Sequence, residues 1–233
     1  TGSLPDDSSW HGTHVAGTIA EVANNGSAVA GLAYKAKVLP VRVLGKCGGT
    51  LADISDAITW ASGGTVPGIP ANTNPAEIIN MSLGGGGACD AAYQDAINGA
   101  VSRGTLVVVA AGNETDNASK YRPASCNNVV AVGATRVTGG ITYYSNYGTA
   151  VDLSAPGGGG SVDGNPNGYI WQVGSSSETT PDAGEWVLMG KGGTSMSSPH
   201  VAAVAAMVQS ALIAKGKEPL APAALETLLK QSA

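Results

Sequence analysis

The sequence predicts an α/β protein of three layers, a doubly wound and mostly parallel sheet covered by helices on both faces. Three observations predict it. Short apolar runs bounded by glycine alternate along the chain with stretches of helical character, the signature of a parallel sheet buried on both sides. The composition of 233 residues, with 34 glycines and only 12% charged residues, describes a chain of tight turns and closely packed small side chains. Near its end lies a helix without a charge, "VAAVAAMV" (201–208), which is apolar all round and therefore belongs in a core.

The elements follow in order. "HGTHVAGTIA" (11–20) reads as a helix of small residues, and "AKVLPVRVL" (36–44) as a β-rich run. "TLADISDAITWA" (50–61) reads as a helix whose Thr50 and Asp53 stand at capping-box spacing. "EIINMSL" (77–83) and "TLVVVAA" (105–111) are strands, with "DAAYQDAINGAVSR" (90–103) helical between them, and "VVAVGA" (129–134) and "AVDLSAP" (150–156) are further strands. A helix from about Ser198 to Ala214 and another at 222–233, opened by a proline in its first turn, close the chain. Two stretches, 63–75 and 157–186, read as long loops; Trp171 and Trp186 predict that the second packs on something. No repeat and no abrupt change in composition divides the chain, so residues 1–233 are expected to form one domain.

Charge excludes some partners. Twelve basic against 17 acidic residues give a net charge of −5 with no basic cluster, which argues against nucleic acid and against an anionic membrane. The longest uninterrupted apolar run, Val201 to Val208, falls short of the roughly 20 residues that a spanning helix needs. "TGSLPDDSSW" is not a leader, so a soluble chain is expected, with any signal or pro-segment already removed. Cys47, Cys89 and Cys126 share no CxxC spacing, which disfavours zinc, and an odd number leaves one thiol free or paired outside the chain.

Chemistry in open α/β sheets sits beyond the carboxyl ends of the strands. Bare backbone, "GGGG", follows the strand at 77–83; Gly112-Asn113 follows the strand at 105–111; His11 starts the first helix; and "GGTSMSSPH" puts Ser195 at the mouth of the uncharged helix. A nucleophilic serine needs a base and preplaced donors for an anionic intermediate, and Ser195, His11, Asn113 and the free N–H groups of a helix start supply them. Taken singly, each is also a cap or a turn residue; their coincidence on one edge is the stronger sign. His14, three residues after His11, has no accompanying carboxylate and reads as a packing or hydrogen-bonding residue. His200 reads as a core histidine, and Ser197 and Ser198 as caps.

Four blocks, "HGTHVAGTIA", "INMSLGG", "VVVAAGNE" and "GTSMSSPHVA", resemble the signature blocks of the subtilisin-like serine proteases, in the same order. The resemblance covers nearly the whole chain. It implies a secreted serine endopeptidase of broad specificity that favours uncharged or apolar P1 side chains, made as a zymogen and working through an acyl-enzyme. By resemblance Ser195 is the nucleophile, His11 the general base and Asn113 the oxyanion donor beside the Ser195 N–H. Ser82, Leu83 and Gly84 would form one wall of the P1 pocket and Ala110, Ala111 and Gly112 the other, with the peptide bound as an added strand. The resemblance also implies structural Ca²⁺, held at Asn25 and, at a second site, by Asp152 with carbonyls of Asn127 and Val129. It further implies a Cys89–Cys126 disulfide.

One family feature is missing. The catalytic Asp of the family ends an early strand in a context such as Asp-Ser-Gly, and no such motif occurs; Asp6 and Asp7 of "LPDDSS" have no strand character. The family's first strand and helix are absent too, which would leave a sheet edge unpaired. The expectation is therefore a larger C-terminal piece whose partner fragment supplies the Asp and a cysteine for Cys47, monomeric when complete. Two other readings stay open: a Ser–His esterase without the Asp, and a non-catalytic peptide-binding remnant.

Overall fold

The computed structural model describes residues 8–27 and 29–233, so Asp6 and Asp7 lie outside the described residues. Its centre is a four-stranded parallel sheet in the order β1 (Ile78–Met81), β3 (Leu106–Ala110), β5 (Val130–Thr135), β6 (Leu153–Pro156). Strand β3 is the reason the sheet is buried on both sides. Its alternate residues serve different cores: Val107 and Val109 pack with Ile54 and Ile58 of α2 (Leu51–Ala61) and Tyr93 and Ile97 of α3 (Ala91–Ser102). Leu106 and Val108 pack with Val201, Ala202 and Ala205 of α4 (Thr194–Ala214) and Leu225 of α5 (Pro222–Ser232). Period-2 alternation in a strand with no polar face thus produces three layers.

Helix α1 (His11–Ala20) lies against α4 and against an antiparallel hairpin, β7 (Ile170–Ser175) with β8 (Trp186–Lys191). The hairpin corrects the reading of 157–186 as loop: strong turn composition concealed two six-residue strands whose period-2 pattern is short. Trp186 meets the edge of Trp10 at 6.2 Å between ring centroids, and Trp171 meets Tyr169 at 6.5 Å. A two-stranded ladder joins β2 (Gly85–Gly86) to β4 (Tyr121–Arg122).

Thr50 caps α2 as its spacing predicts, its Oγ1 accepting from the Asp53 N–H at 3.1 Å. The run 36–44, expected as a strand, belongs to no strand. A strand exists by virtue of a ladder partner. Among the described residues none lies beside this run, and Val38, Leu39, Val41 and Leu44 are exposed. Among the described residues β1 is an edge on its side of the sheet, paired only with β3.

Helix α4 starts at Thr194, four residues before the expected Ser198, so Ser197 and Ser198 are interior residues rather than caps. It is long and apolar enough to cross a membrane by length and composition alone. Here it packs against the sheet, where Ala202, Ala203 and Ala205 are buried and allow close approach.

Candidate active site

The ends of β1 and β3 meet the start of α4 at one edge of the sheet, outside the carboxyl ends of its strands, and His11 does not line the cavity there. Ser195 is the second residue of α4, where first-turn N–H groups have no helical acceptor and the dipole is positive. Its hydroxyl donates weakly to the Ser82 carbonyl at 3.3 Å.

Pro199 shapes this end of the helix. It is the sixth residue of α4 and lacks the N–H that would bond the Ser195 carbonyl four residues back. That carbonyl is instead satisfied from outside the helix, by the Ser82 hydroxyl at 2.7 Å. Ser82 Oγ also meets Ser198 Oγ at 2.9 Å and accepts from Asn80 Nδ2 at 2.9 Å. The loop leaving β1 is thus tied to the backbone of Ser195 through a bond that the proline vacated.

Asn113 follows β3. Its Oδ1 accepts from the Thr194 N–H at 2.8 Å and from the Thr194 hydroxyl at 3.0 Å, which identifies the oxygen and turns Nδ2 the other way. Nδ2 has no acceptor among the described residues and Asn113 is exposed, so a donor stands ready beside the orphan N–H groups of α4. Gly112, at φ +106°, allows the turn, and its N–H donates to Thr194 Oγ1 at 3.1 Å.

A small cavity of about 70 Å³ opens next to Ser195 between Leu83 and Gly84 on one side and Ala110, Ala111 and Gly112 on the other. Ser82 does not line it; its side chain bonds the Ser195 carbonyl. Tyr121, Arg122 and Glu114 also border the cavity. The β2–β4 ladder joins its two walls, and so does a disulfide between Cys89 and Cys126, with Cα atoms 5.0 Å apart. Cys47 is free and exposed, in a separate shallow cleft of about 430 Å³ beside the 36–44 run.

His11 is the first residue of α1, behind Trp10 in the left-handed region at φ +50°. No hydrogen bond joins its ring to Ser195 among the described residues; in ligand-free enzymes such bonds are often long and tighten on substrate binding. Burial, then the Lys191 ammonium and His14, hold its pKa down at about 4. The imidazole is therefore neutral near pH 7, the form that can take a proton. Lys191 is half-buried at the end of β8, where burial lowers its own pKa.

His14 is fully buried, and its Nε2 faces the carbonyls of Ile170 and Met189 at 3.0 and 2.9 Å. Both are acceptors only, so Nε2 carries the proton and latches the hairpin to α1, the hydrogen-bonding role expected of it. His200 is partly buried and bonds the Met196 carbonyl through Nδ1 at 2.7 Å.

The residues expected at calcium do not, as arranged, form a cation site. Asp152 Oδ2 accepts from the Ala131 N–H at 2.9 Å, and Oδ1 faces the Lys230 ammonium at 2.7 Å, where a divalent cation would be repelled. The Asn127 carbonyl accepts from Gln94 Nε2 at 3.0 Å, while nothing distinguishes that of Val129. Asn25 Oδ1 accepts from the Ser27 N–H at 3.1 Å within its own turn. Among the described residues no group of three or more His, Cys, Asp or Glu side chains gathers to hold a metal ion.

Sequence reasoning missed two groups, Lys191, which acts on His11, and Asn146, which folds under the loop at 111–116, and also the bond by which Thr194 positions Asn113. Thr194 was legible as the neighbour of Ser195. Asn146 lies in an irregular segment that carries no periodic signal.

The sequence profile of the subtilase family matches residues 1–233. The chain is 59% identical over 226 residues to an "Extracellular protease" of Xanthomonas campestris pv. campestris, covering 97% of this chain and 36% of that protein. It is 49% identical over 222 residues to an "Extracellular basic protease" of Dichelobacter nodosus, covering 95% of this chain and 35% of that one. The chain thus spans about a third of the length of these two relatives. Among solved structures, it is similar to proteases from Pseudoalteromonas arctica, with a TM-score of 0.90 and 51% identity, covering 98% of this chain and 65% of that one. A cold-adapted subtilisin-like serine proteinase matches with a TM-score of 0.71 and 31% identity, covering 96% of this chain and 67% of that chain.

Proposed function

The chain belongs to the subtilase family, and on that premise we propose that it is part of a secreted serine endopeptidase. The observation that carries the reading is the meeting of Ser195, at the start of α4, with the unengaged Asn113 amide beside a small cavity. In this reading the Ser195 hydroxyl attacks a peptide carbonyl while neutral His11 takes its proton. The oxyanion of the tetrahedral intermediate is met by Asn113 Nδ2 and the Ser195 N–H, and His11 returns the proton to the leaving amine. The peptide lies extended along the glycine-bordered cleft, its P1 side chain in the 70 Å³ cavity, whose size suits small apolar residues. The extracellular names of two relatives support secretion.

The carboxylate that orients His11 comes, in this proposal, from a strand contributed by another segment of the complete protein. Two features support it: the outer edge of β1 is unpaired among the described residues, and the extended apolar run 36–44 lacks a ladder partner. A strand entering there would satisfy both, and a cysteine on the same segment would meet Cys47 at its cleft. Peptide mapping of the complete, unreduced protein should find Cys47 in a disulfide; a free thiol there refutes the pairing.

Fluorophosphonate labelling followed by peptide mapping tests the enzyme reading. Modification of Ser195, lost in Ser195→Ala, together with faster turnover of peptides than the uncatalysed rate, is expected. Labelling with turnover of esters alone would make the protein an esterase, and no labelling would leave a peptide-binding cleft.

A further inference from the structure

Asn146 lies outside every strand and helix, yet its side chain is among the most fully used in the molecule. It is 1% exposed. Its Nδ2 donates to the Ala111 carbonyl at 3.0 Å and to Glu114 Oε2 at 2.7 Å. Its Oδ1 accepts from the N–H groups of Glu114 at 2.9 Å and Asp116 at 3.1 Å. Both donors and both acceptor directions of the amide are thereby filled. Its backbone N–H donates to the Gly112 carbonyl at 3.0 Å.

These contacts bracket Asn113. Residues 111 and 112 before it and 114 and 116 after it are all held by Asn146, and the Glu114 carboxylate that Asn146 fixes also accepts from the Asn113 N–H at 2.8 Å. The packing leaves no slack: a Cβ on Gly112 would lie 2.1 Å from Asn146 Nδ2. Fold stability does not rest on this side chain alone. The segments at 115–118 and 143–147 are joined independently, through Thr115 N–H to the Tyr144 carbonyl at 2.9 Å and Ala118 N–H to the Tyr147 carbonyl at 2.8 Å.

We propose that Asn146 is a positioning residue for catalysis, holding the loop 111–116 so that the Asn113 amide stands where the oxyanion develops. The proposal rests on the serine endopeptidase reading. A donor aimed at developing charge is worth its full effect only if it is fixed beforehand, and a displacement of about 1 Å can cost on the order of 10²-fold in rate. Asn146 acts through Asn113, so its effect must vanish when Asn113 has nothing to donate.

The test uses the complete protein, a peptide anilide substrate and active sites counted by fluorophosphonate labelling. Asn146→Ala should lower kcat per labelled site by about 10- to 100-fold, with KM changed by less than about 3-fold. Asn146→Asp keeps the two acceptors and loses both donors, and should fall between wild type and Ala. In an Asn113→Ala background, Asn146→Ala should lower kcat by less than about 3-fold. Glu114→Ala, a change at an exposed position, removes the other end of the same network and should behave alike, so that misfolding of an Asn146 variant leaves the question decidable. An equal loss in both backgrounds, or a wild-type kcat in Asn146→Ala, overturns the proposal while leaving the enzyme reading intact. A wild-type protein that does not label at Ser195 overturns both.

Discussion

Replacing Ser82 by alanine removes the hydroxyl that satisfies the Ser195 carbonyl in place of the N–H that Pro199 lacks. The Ser195 carbonyl would lose its partner at 2.7 Å, Asn80 Nδ2 its acceptor at 2.9 Å and Ser198 Oγ its neighbour at 2.9 Å. Ser198 is wholly buried and Ser82 half-buried, so solvent can restore only part of this. Leaving a buried polar group unpaired costs about 1–3 kcal/mol, and with one such group fully orphaned the loss is about 2 kcal/mol. For a protein of this size that lowers the thermal midpoint by roughly 4–8 °C. The cause can be isolated with Pro199→Ala, which returns an N–H to the helix within reach of the Ser195 carbonyl. In that background Ser82→Ala should cost about 1 kcal/mol less, the net worth of one hydrogen bond. Calorimetry on the four proteins of this cycle measures the coupling, and kcat per labelled site should fall in Ser82→Ala and recover in the double variant. A Ser82→Ala penalty equal in both backgrounds to within about 0.3 kcal/mol would refute the idea that Ser82 replaces the bond lost to proline.

Further predictions concern charge and cross-linking. Lys191→Met removes a positive charge that holds the His11 pKa below its usual 6.5, so the acid limb of kcat/KM should move to higher pH; an unmoved limb would mean that the ammonium does not act on His11. In wild type, the unfolded chain binds a proton at His11 that the folded one refuses between pH 6.5 and about 4, so stability is lost as the pH is lowered through that window and is fully present above 6.5. His11→Gln should flatten that part of the stability–pH curve in denaturant titrations. Removing the disulfide with Cys89→Ala and Cys126→Ala opens a loop with a sequence separation of 37, and chain entropy alone predicts a loss of about 4 kcal/mol. A thermal midpoint within about 2 °C of wild type would show that the β2–β4 ladder suffices to hold the cavity walls.

Much of the fold was legible because burial on both faces writes itself into composition. The valines of 107–109 are fully buried and the adjoining β5 is equally apolar, so neither could be mistaken for a surface segment. Thr50 capped its helix as its spacing required. The run 36–44 was misread for the complementary reason: apolar character makes a segment fit for a sheet, but a ladder needs a neighbour, and neighbours are not local. The hairpin at 170–191 was hidden by the glycines, serines and prolines around it, which report turns without saying what lies between them.

For the site, local sequence determined which residues stand out as candidates for chemistry. Ser195 at a helix mouth, Asn113 after a strand and His11 at a helix start are each set by their immediate neighbours. Tertiary structure alone decided how those residues are held. Pro199 can cost the Ser195 carbonyl its helical partner from a distance of four residues, but that Ser82, 113 positions away, replaces it depends on how β1 meets α4. Asn146 reaches the loop 111–116 from 30 to 35 residues downstream, through four hydrogen bonds that exist only once β3 and the segment before β6 lie side by side. Hydrogen bonds of the side chain act over about 3 Å, and no pattern along a chain records which of its distant polar groups will come that close.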